Sequence, residues 1–208
     1  MIPLETLIPY LAASTLLALA PGPDNIFVLT QSALRGRNAG LIVMLGLCTG
    51  LIVHSMAVAL GVAVVFQTSA VAFSALKFIG AGYLAWLAWQ AFHASAEEIQ
   101  AGTGGETKHW HLYRRGIIMN ITNPKVSIFF LAFLPQFADP ARGPLSLQLL
   151  LLGGLFILAT LVVFGGIAVL AGSLGQWLNR SARAQTILHK IAGTVFLGLA
   201  LKLALANR

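Results

Sequence analysis

Six apolar runs, each long enough to cross a bilayer, dominate this chain. A membrane-spanning helix needs about 20 predominantly apolar residues, and we place such runs at 4–29, 40–66, 72–92, 116–137, 147–174 and 189–206. Charged residues make up 9% of the chain, against about 25% in soluble domains. Lipid offers no hydrogen bonds to the backbone, so such segments are expected to be helical. The sequence therefore predicts an all-α integral membrane protein with six transmembrane helices.

Polar residues and prolines interrupt the first and the fourth apolar runs. The interruptions are Pro21-Gly22-Pro23-Asp24-Asn25 and Asn123-Pro124-Lys125. Proline disrupts the preceding helical turn, and a charge within a membrane segment is expensive enough to imply a function. The interruptions lie about half a chain apart, a pattern typical of transporters whose two repeats place discontinuous helices around one shared site.

Three spans per half would make the two halves inverted relative to one another. We expect one transporter domain built from a three-helix repeat at 1–92, a connector at 93–115 and a second repeat at 116–208, with helices 1 and 4 broken. The segment Lys77-Phe78-Ile79-Gly80 parallels Lys190-Ile191-Ala192-Gly193 in the corresponding span of the other half.

The two interruptions carry the residues that we expect to bind substrate. Asp24 can accept the ammonium of an amino-acid zwitterion, and Lys125 can hold its carboxylate. Helices that restart after the prolines direct free N–H groups toward an anion. The amides of Asn25, Asn120 and Asn123 add hydrogen-bonding groups nearby. Two simpler interpretations remain open, namely that Asp24 only caps a half-helix and that Lys125 extends to the membrane interface.

Other polar features predict less. His54, in the middle of the second run, is either a proton relay or a packing residue. The histidines lack metal-ligand spacing, so we predict neither a metal site nor a cofactor. Gly46 and Gly50 form a Gly-x-x-x-Gly pair, which serves either packing within the bundle or a homodimer. The basic residues are not clustered on one polar face, which argues against a nucleic-acid partner.

The distribution of basic residues predicts the orientation of the chain. Connectors one, three and five hold eight Lys and Arg residues, whereas the opposite side has at most four. Because cytoplasmic loops are enriched in Lys and Arg, we expect these connectors in the cytoplasm. Both termini would then lie on the outer side, toward the periplasm in a bacterium.

Three segments together resemble the LysE/RhtB family of bacterial amino-acid exporters. They are Pro21-Gly22-Pro23-Asp24, the stretch from Lys77 to Trp86, and the stretch from Asn120 to Phe137, which contains Asn123-Pro124-Lys125. The resemblance implies an exporter of amino acids or their derivatives in the bacterial cytoplasmic (inner) membrane, driven by the proton gradient. Within this family, the sequence looks closer to the homoserine/threonine branch than to the exporters of basic amino acids.

Two other functions are weighed against amino-acid export. A divalent cation exporter would want several hard oxygen or imidazole ligands, and one intramembrane Asp and one His are few, with Lys125 repelling a cation. A membrane-embedded enzyme would need a nucleophile with a base, or paired carboxylates. Glu97, Glu98 and Glu106 lie in a polar connector without a clear set of partners.

Overall fold

The chain folds into a bundle in which the described residues form helices and their connections. A computed structural model of the protein describes residues 2–62, 70–94 and 108–205. The α-helices are α1 (Leu4–Leu19), α2 (Pro23–Arg35), α3 (Arg37–Ala57), α4 (Ala70–His93), α5 (His109–Thr122), α6 (Pro124–Ile128), α7 (Leu145–Arg180) and α8 (Ala182–Leu205). A π-helical turn at Val58–Val62 extends α3, and π and 3₁₀ turns carry the chain on from α6 to Phe137.

Several of these helices are long and apolar enough to cross a membrane. Three continuous helical segments qualify, at Arg37–Gly61, Leu145–Ala171 and Arg183–Leu205. Two bent pairs also qualify when each pair is taken together, namely α1 with α2 at 57° and α5 with α6 and its extension at 51°. The prediction of an all-α, multi-pass membrane protein is confirmed. Between three and five spans are supported in the described residues, so the count of six, which requires α4, stays a prediction.

The bends occur at the two prolines where the sequence predicts them. Ala20 precedes Pro21 and has an extended backbone, with ψ of 125°, because a residue before proline is disfavoured in the helical region. Gly22 is extended too, and Pro23 begins α2, a position at which a missing N–H does no harm. Asn123 likewise precedes Pro124, with ψ of 108°.

The helix boundaries differ from the predicted spans mainly at their polar ends. The helix α5 begins at His109, so the last part of the predicted connector 93–115 is helical. The helix α7 continues past its apolar run to Arg180, and α8 begins before its apolar run, at Ala182. Residues 95–107, including the three glutamates of the connector, and residues 63–66 of the second predicted span lie outside the described part of the chain.

Small residues let neighbouring helices approach closely within the bundle. A Cβ added to Gly46 of α3 would lie 2.2 Å from the carbonyl oxygen of Tyr113, and one added to Gly116 of α5 would lie 2.6 Å from that of Val43. A Cβ on Gly50 would lie 2.7 Å from the Asn120 side chain. The Gly-x-x-x-Gly pair is therefore occupied by packing inside the chain and carries no argument for a dimer.

Two large buried clusters occupy the interior and meet near the bends. The first contains an aromatic group of Tyr10, Phe129, Phe130, Phe133 and Phe156, and Tyr10 donates a 2.7 Å hydrogen bond to the carbonyl of Leu152 on α7. The second joins α2, α3 and α7 through apolar residues that include Phe27, Leu47 and Phe164. Residues of both clusters line one small cavity near the bends.

Candidate functional site

A small cavity lies at the junction of both bent pairs with α3 and α7. Its volume is about 20 Å³, which is room for about one water molecule. It is lined by Leu17, Ala18, Asp24, Leu51, Asn120, Lys125, Val126, Phe156, Thr160 and Phe164. Leu51 and Thr160 lie near the middle of their apolar segments, so the cavity is close to the middle of the membrane-spanning part of the protein.

Asp24 is held in the first turn of α2 with only 2% of its surface exposed. Its Oδ2 accepts a 3.2 Å hydrogen bond from Nδ2 of Asn120, and its Oδ1 has no partner within the described protein. Gly22 is the N-cap of α2, and no side chain caps the helix. The carboxylate benefits from the positive end of the helix dipole, but the hydrogen-bonded capping that would explain its presence structurally is not observed.

Lys125 is buried in the corresponding position of α6, with 7% of its surface exposed. Its Nζ donates to the carbonyl oxygens of Leu17 at 3.3 Å and Ala20 at 3.1 Å. Those carbonyls belong to the last turn of α1, where a cation is favoured by the helix dipole. The side chain therefore points into the bundle and does not extend to the membrane interface.

The acid and the base share the cavity without forming a direct ion pair. Among the described residues, the oppositely charged groups that lie within 4.0 Å of each other are those of Asp139 and Arg142, on the surface. Asp24 and Lys125 are farther apart than that. Asp24 and Lys125 thus face one space from two sides, each held by a different helix end. The two charges therefore line one cavity without neutralising each other directly.

The three asparagines take three different positions. Asn120 lines the cavity and donates to Asp24. Asn123 is the N-cap of α6, since its Oδ1 accepts a 3.0 Å hydrogen bond from the backbone N–H of Lys125. Asn25 donates a 2.6 Å hydrogen bond to the carbonyl of Ala18. Asn25 and Asn123 therefore support the two bends and do not line the cavity.

The proline and glycine residues of the breaks place the charges. Pro23 and Pro124 begin α2 and α6, so Asp24 and Lys125 each occupy the second position of a restarted helix. Gly22 lies against the ammonium, because an added Cβ would be 3.0 Å from Nζ of Lys125. Pro21, before it, ends α1.

His54 approaches the site from α3 but does not line the cavity. Its Nε2 lies 3.2 Å from the carbonyl oxygen of Asn120, and its ring packs against Phe130 with centroids 5.6 Å apart. The contact links His54 to Asp24 through one residue. Both the packing interpretation and the relay interpretation are compatible with this geometry.

The sequence reasoning missed the contribution of α7 to the cavity. Phe156, Thr160 and Phe164 line it at intervals of four residues, which places them on one face of the helix. Thr160 is buried, with 3% of its surface exposed, and its hydroxyl has no partner in the described protein. A signal was present, because Thr160 is the one polar side chain in the central part of an otherwise apolar run between Gln148 and Ser173.

Several buried polar atoms at the site remain available to a ligand. Around the cavity these are Oδ1 of Asp24, Oδ1 of Asn120 and Oγ1 of Thr160. Buried polar groups in native proteins nearly always have a partner, either in the protein or in ordered water, so we expect water or a polar ligand to complete the hydrogen bonds of these atoms. Within the described ranges, no three His, Cys, Asp or Glu side chains come together as a metal site would require.

Comparison with known proteins places the chain in a family. A family model described as LysE type translocator matches residues 15–207. The homoserine/homoserine lactone efflux protein of Salmonella typhimurium is 37% identical over 199 residues, which are 95% of this chain and 95% of that protein. An uncharacterized membrane protein of Vibrio cholerae is 33% identical over 198 residues, 95% of this chain and 96% of that protein.

A third relative, the uncharacterized membrane protein YrhP of Bacillus subtilis, is 26% identical over 212 residues, 98% of this chain and all of that protein. No solved structure matches the chain. The family match spans nearly the whole chain and its members are transporters, so a membrane-embedded enzyme is set aside. The acid and base on the two proline bends are thus part of a transporter, and the chain belongs to the LysE type translocator family.

Proposed function

We propose that this protein exports homoserine, or a similar small neutral amino acid or derivative, from the cytoplasm in exchange for protons. A relative that is 37% identical over nearly its full length is named a homoserine/homoserine lactone efflux protein. Similarity of the whole chain supports the class of transport, whereas the choice of substrate depends on the side chains of the cavity.

The observation that carries the proposal is that one carboxylate and one ammonium face the same mid-membrane cavity. Asp24 is suited to the substrate ammonium, since its Oδ1 has no partner in the protein. Lys125 uses two of its N–H groups on the carbonyls of α1, and the remaining one is suited to the substrate carboxylate. A zwitterion placed between them would satisfy both charges in a low-dielectric site.

The size of the cavity implies that transport requires a change of conformation. About 20 Å³ accommodates one water molecule but not an amino acid, so the cavity would have to widen to admit a substrate. Both bends line the cavity, and bends of this kind allow helix halves to move relative to one another. We infer that opening toward either side separates the bent pairs from α7, as alternating access requires.

The chemistry of Asp24 supports proton coupling. An ionised carboxylate binds the substrate ammonium on the cytoplasmic side, and a proton replaces the ammonium when the substrate leaves on the outer side. Return of the protonated carrier then releases that proton inside. In this scheme His54 is a candidate to pass the proton, because it contacts Asn120, the hydrogen-bond partner of Asp24.

The contacts between the bends also support two inverted repeats within one domain. Lys125 of the second half reaches the end of α1 in the first half, and Asp24 of the first half is held by Asn120 at the end of α5 in the second. The basic connectors favour an orientation with both termini in the periplasm, and membership of the LysE type translocator family supports the bacterial inner membrane.

Export of a divalent cation is the second candidate, and the site fits it poorly. The cavity offers one carboxylate, while hard divalent cations take six or more oxygen ligands in proteins. Lys125 places a positive charge on the same wall. Metal tolerance of cells that express the protein would increase if this alternative were correct.

The test is efflux of labelled amino acids from cells that express the wild type or Asp24→Asn at matched membrane abundance. We expect the wild type to export homoserine and related neutral amino acids, and Asp24→Asn to lose this export. Glu5→Gln is the matched control, because it also removes one negative charge but lies on an exposed part of α1. Normal export by Asp24→Asn at normal abundance would refute the assignment of the site.

A further inference from the structure

Thr160 lies on a wall of the cavity that neither bent pair supplies. It is flanked along α7 by Phe156 and Phe164, one turn before and one turn after it. The groups suited to the ammonium and carboxylate of a zwitterion, Asp24 and Lys125, belong to the bent pairs. The walls on α3 and α7 are therefore left for the side chain of the substrate, and Thr160 of α7 is their polar residue, since α3 contributes Leu51.

The hydroxyl of Thr160 is not engaged in the manner usual for threonine in an apolar helix. Such hydroxyls commonly donate to the carbonyl oxygen four residues earlier. Thr49, Thr122 and Thr194 do so, at 3.0, 2.8 and 2.9 Å. The hydrogen bonds of those three threonines are exposed, whereas Thr160 is buried. Its Oγ1 nevertheless has no partner in the described protein.

We propose that Thr160 is a specificity-determining residue whose hydroxyl hydrogen-bonds a polar group, such as a hydroxyl, on the side chain of the transported amino acid. This inference rests on the proposed function and deepens it. It assigns the backbone charges of the substrate to the two bends and the side chain to α7.

The chemistry of this wall selects small, uncharged, polar side chains. The Thr160 hydroxyl can donate to or accept from a substrate hydroxyl, and it can donate to a carbonyl oxygen, while Phe156 and Phe164 offer apolar surface on either side of it. Among the described residues, Asp24 is the one carboxylate that lines the cavity. Because it is assigned to the substrate ammonium, a second cationic group would have no counter-charge there. A site built to hydrogen-bond a hydroxyl discriminates against the analogue that lacks it.

A different role for Thr160 would be to hold a water molecule against Asp24, since the cavity has room for one. That role concerns the protein before substrate binds, or proton transfer, and would affect every substrate equally. The specificity role affects only substrates with a polar side chain. The two roles are therefore separated by comparing substrates within one variant.

The experiment uses homoserine and 2-aminobutyrate, which differ by the side-chain hydroxyl. Each would be loaded into proteoliposomes that contain the full-length wild type, Thr160→Val or Thr160→Ser, and initial export rates would be measured over a range of concentrations. Valine has nearly the shape of threonine without the hydroxyl, whereas serine keeps the hydroxyl and loses a methyl group.

We expect the wild type and Thr160→Ser to prefer homoserine, and Thr160→Val to lose about 2- to 10-fold of that preference, the range for one hydrogen bond. Export of 2-aminobutyrate by Thr160→Val should persist, and this export would show that the variant is folded. An unchanged preference in Thr160→Val, or equal loss of both substrates at normal abundance, would overturn the role of Thr160 alone. Failure of the wild type to export either compound would overturn the proposed function as well.

Discussion

Removal of the two buried charges, singly and together, is the sharpest test of the site. The variants are Asp24→Asn, Lys125→Met and the double variant. Each single change leaves the other charge buried beside the cavity without a counter-charge. Breaking a buried ion pair in direct contact costs about 3–5 kcal/mol, and we expect a smaller loss here because the two charges are not in contact. In Lys125→Met the carbonyls of Leu17 and Ala20 also lose their donor.

The magnitude of the coupling follows from the separation of the charges. Two unit charges 4 Å apart interact by about 4 kcal/mol at an effective dielectric constant of 20. Asp24 and Lys125 are not within 4.0 Å of each other. We therefore expect the double variant to be less destabilised than the sum of the single variants by about 1–3 kcal/mol, which is within the range for residues that share one network.

The measurement is the free energy of unfolding in detergent micelles for the wild type and the three variants. Asp139 and Arg142 provide a matched control pair, since they form a 3.1 Å ion pair whose side chains are 50% and 47% exposed. The same cycle there should give a coupling below about 1 kcal/mol. Additive losses at Asp24 and Lys125, with no coupling beyond the control, would refute the reasoning that one cavity brackets a zwitterion between them.

Two glycine substitutions separate transport from stability. Gly22→Ala should slow export while membrane abundance stays normal, because the added Cβ would lie 3.0 Å from Nζ of Lys125 and displace that flexible ammonium; unchanged export kinetics would argue against the assigned position of the ammonium. Gly46→Ala should lower the free energy of unfolding by about 1–3 kcal/mol, because its Cβ would lie 2.2 Å from the carbonyl oxygen of Tyr113. Gly154→Ala, which has open space around it, is the control, and equal stability of the two variants would contradict the close packing of α3 with α5.

The location of the bends could be predicted because its cause is local. Proline constrains its own backbone and that of the residue before it, whatever the rest of the chain does. Both breaks accordingly occur where the sequence predicts them, before Pro21 and before Pro124. The helix ends in polar segments could be predicted less well, because hydropathy marks the part of a helix that contacts lipid and not its full length, as at α5 and α7.

The partners of the buried charges depend on contacts between distant parts of the chain. Lys125 donates hydrogen bonds to carbonyl oxygens more than 100 residues earlier in the chain. No local sequence pattern predicts which helix end will accept those hydrogen bonds. The role of Asn123 as an N-cap is local, because it caps the helix that begins at the next residue, but the sequence analysis expected its amide to serve the substrate. The role of Asn120 at Asp24 depends on how α5 packs against α2 and α3.

Composition, the apolar runs and the two proline breaks were sufficient to predict an all-α membrane transporter whose breaks carry Asp24 and Lys125. These features act through local backbone chemistry and through the cost of placing charge in lipid, both of which can be evaluated one segment at a time. Only the packed bundle decided that Asp24 and Lys125 share a cavity without touching, and that α7 completes it with Thr160. A cavity is a property of surfaces that meet, and those surfaces come from residues 17–164, which tertiary packing alone brings together.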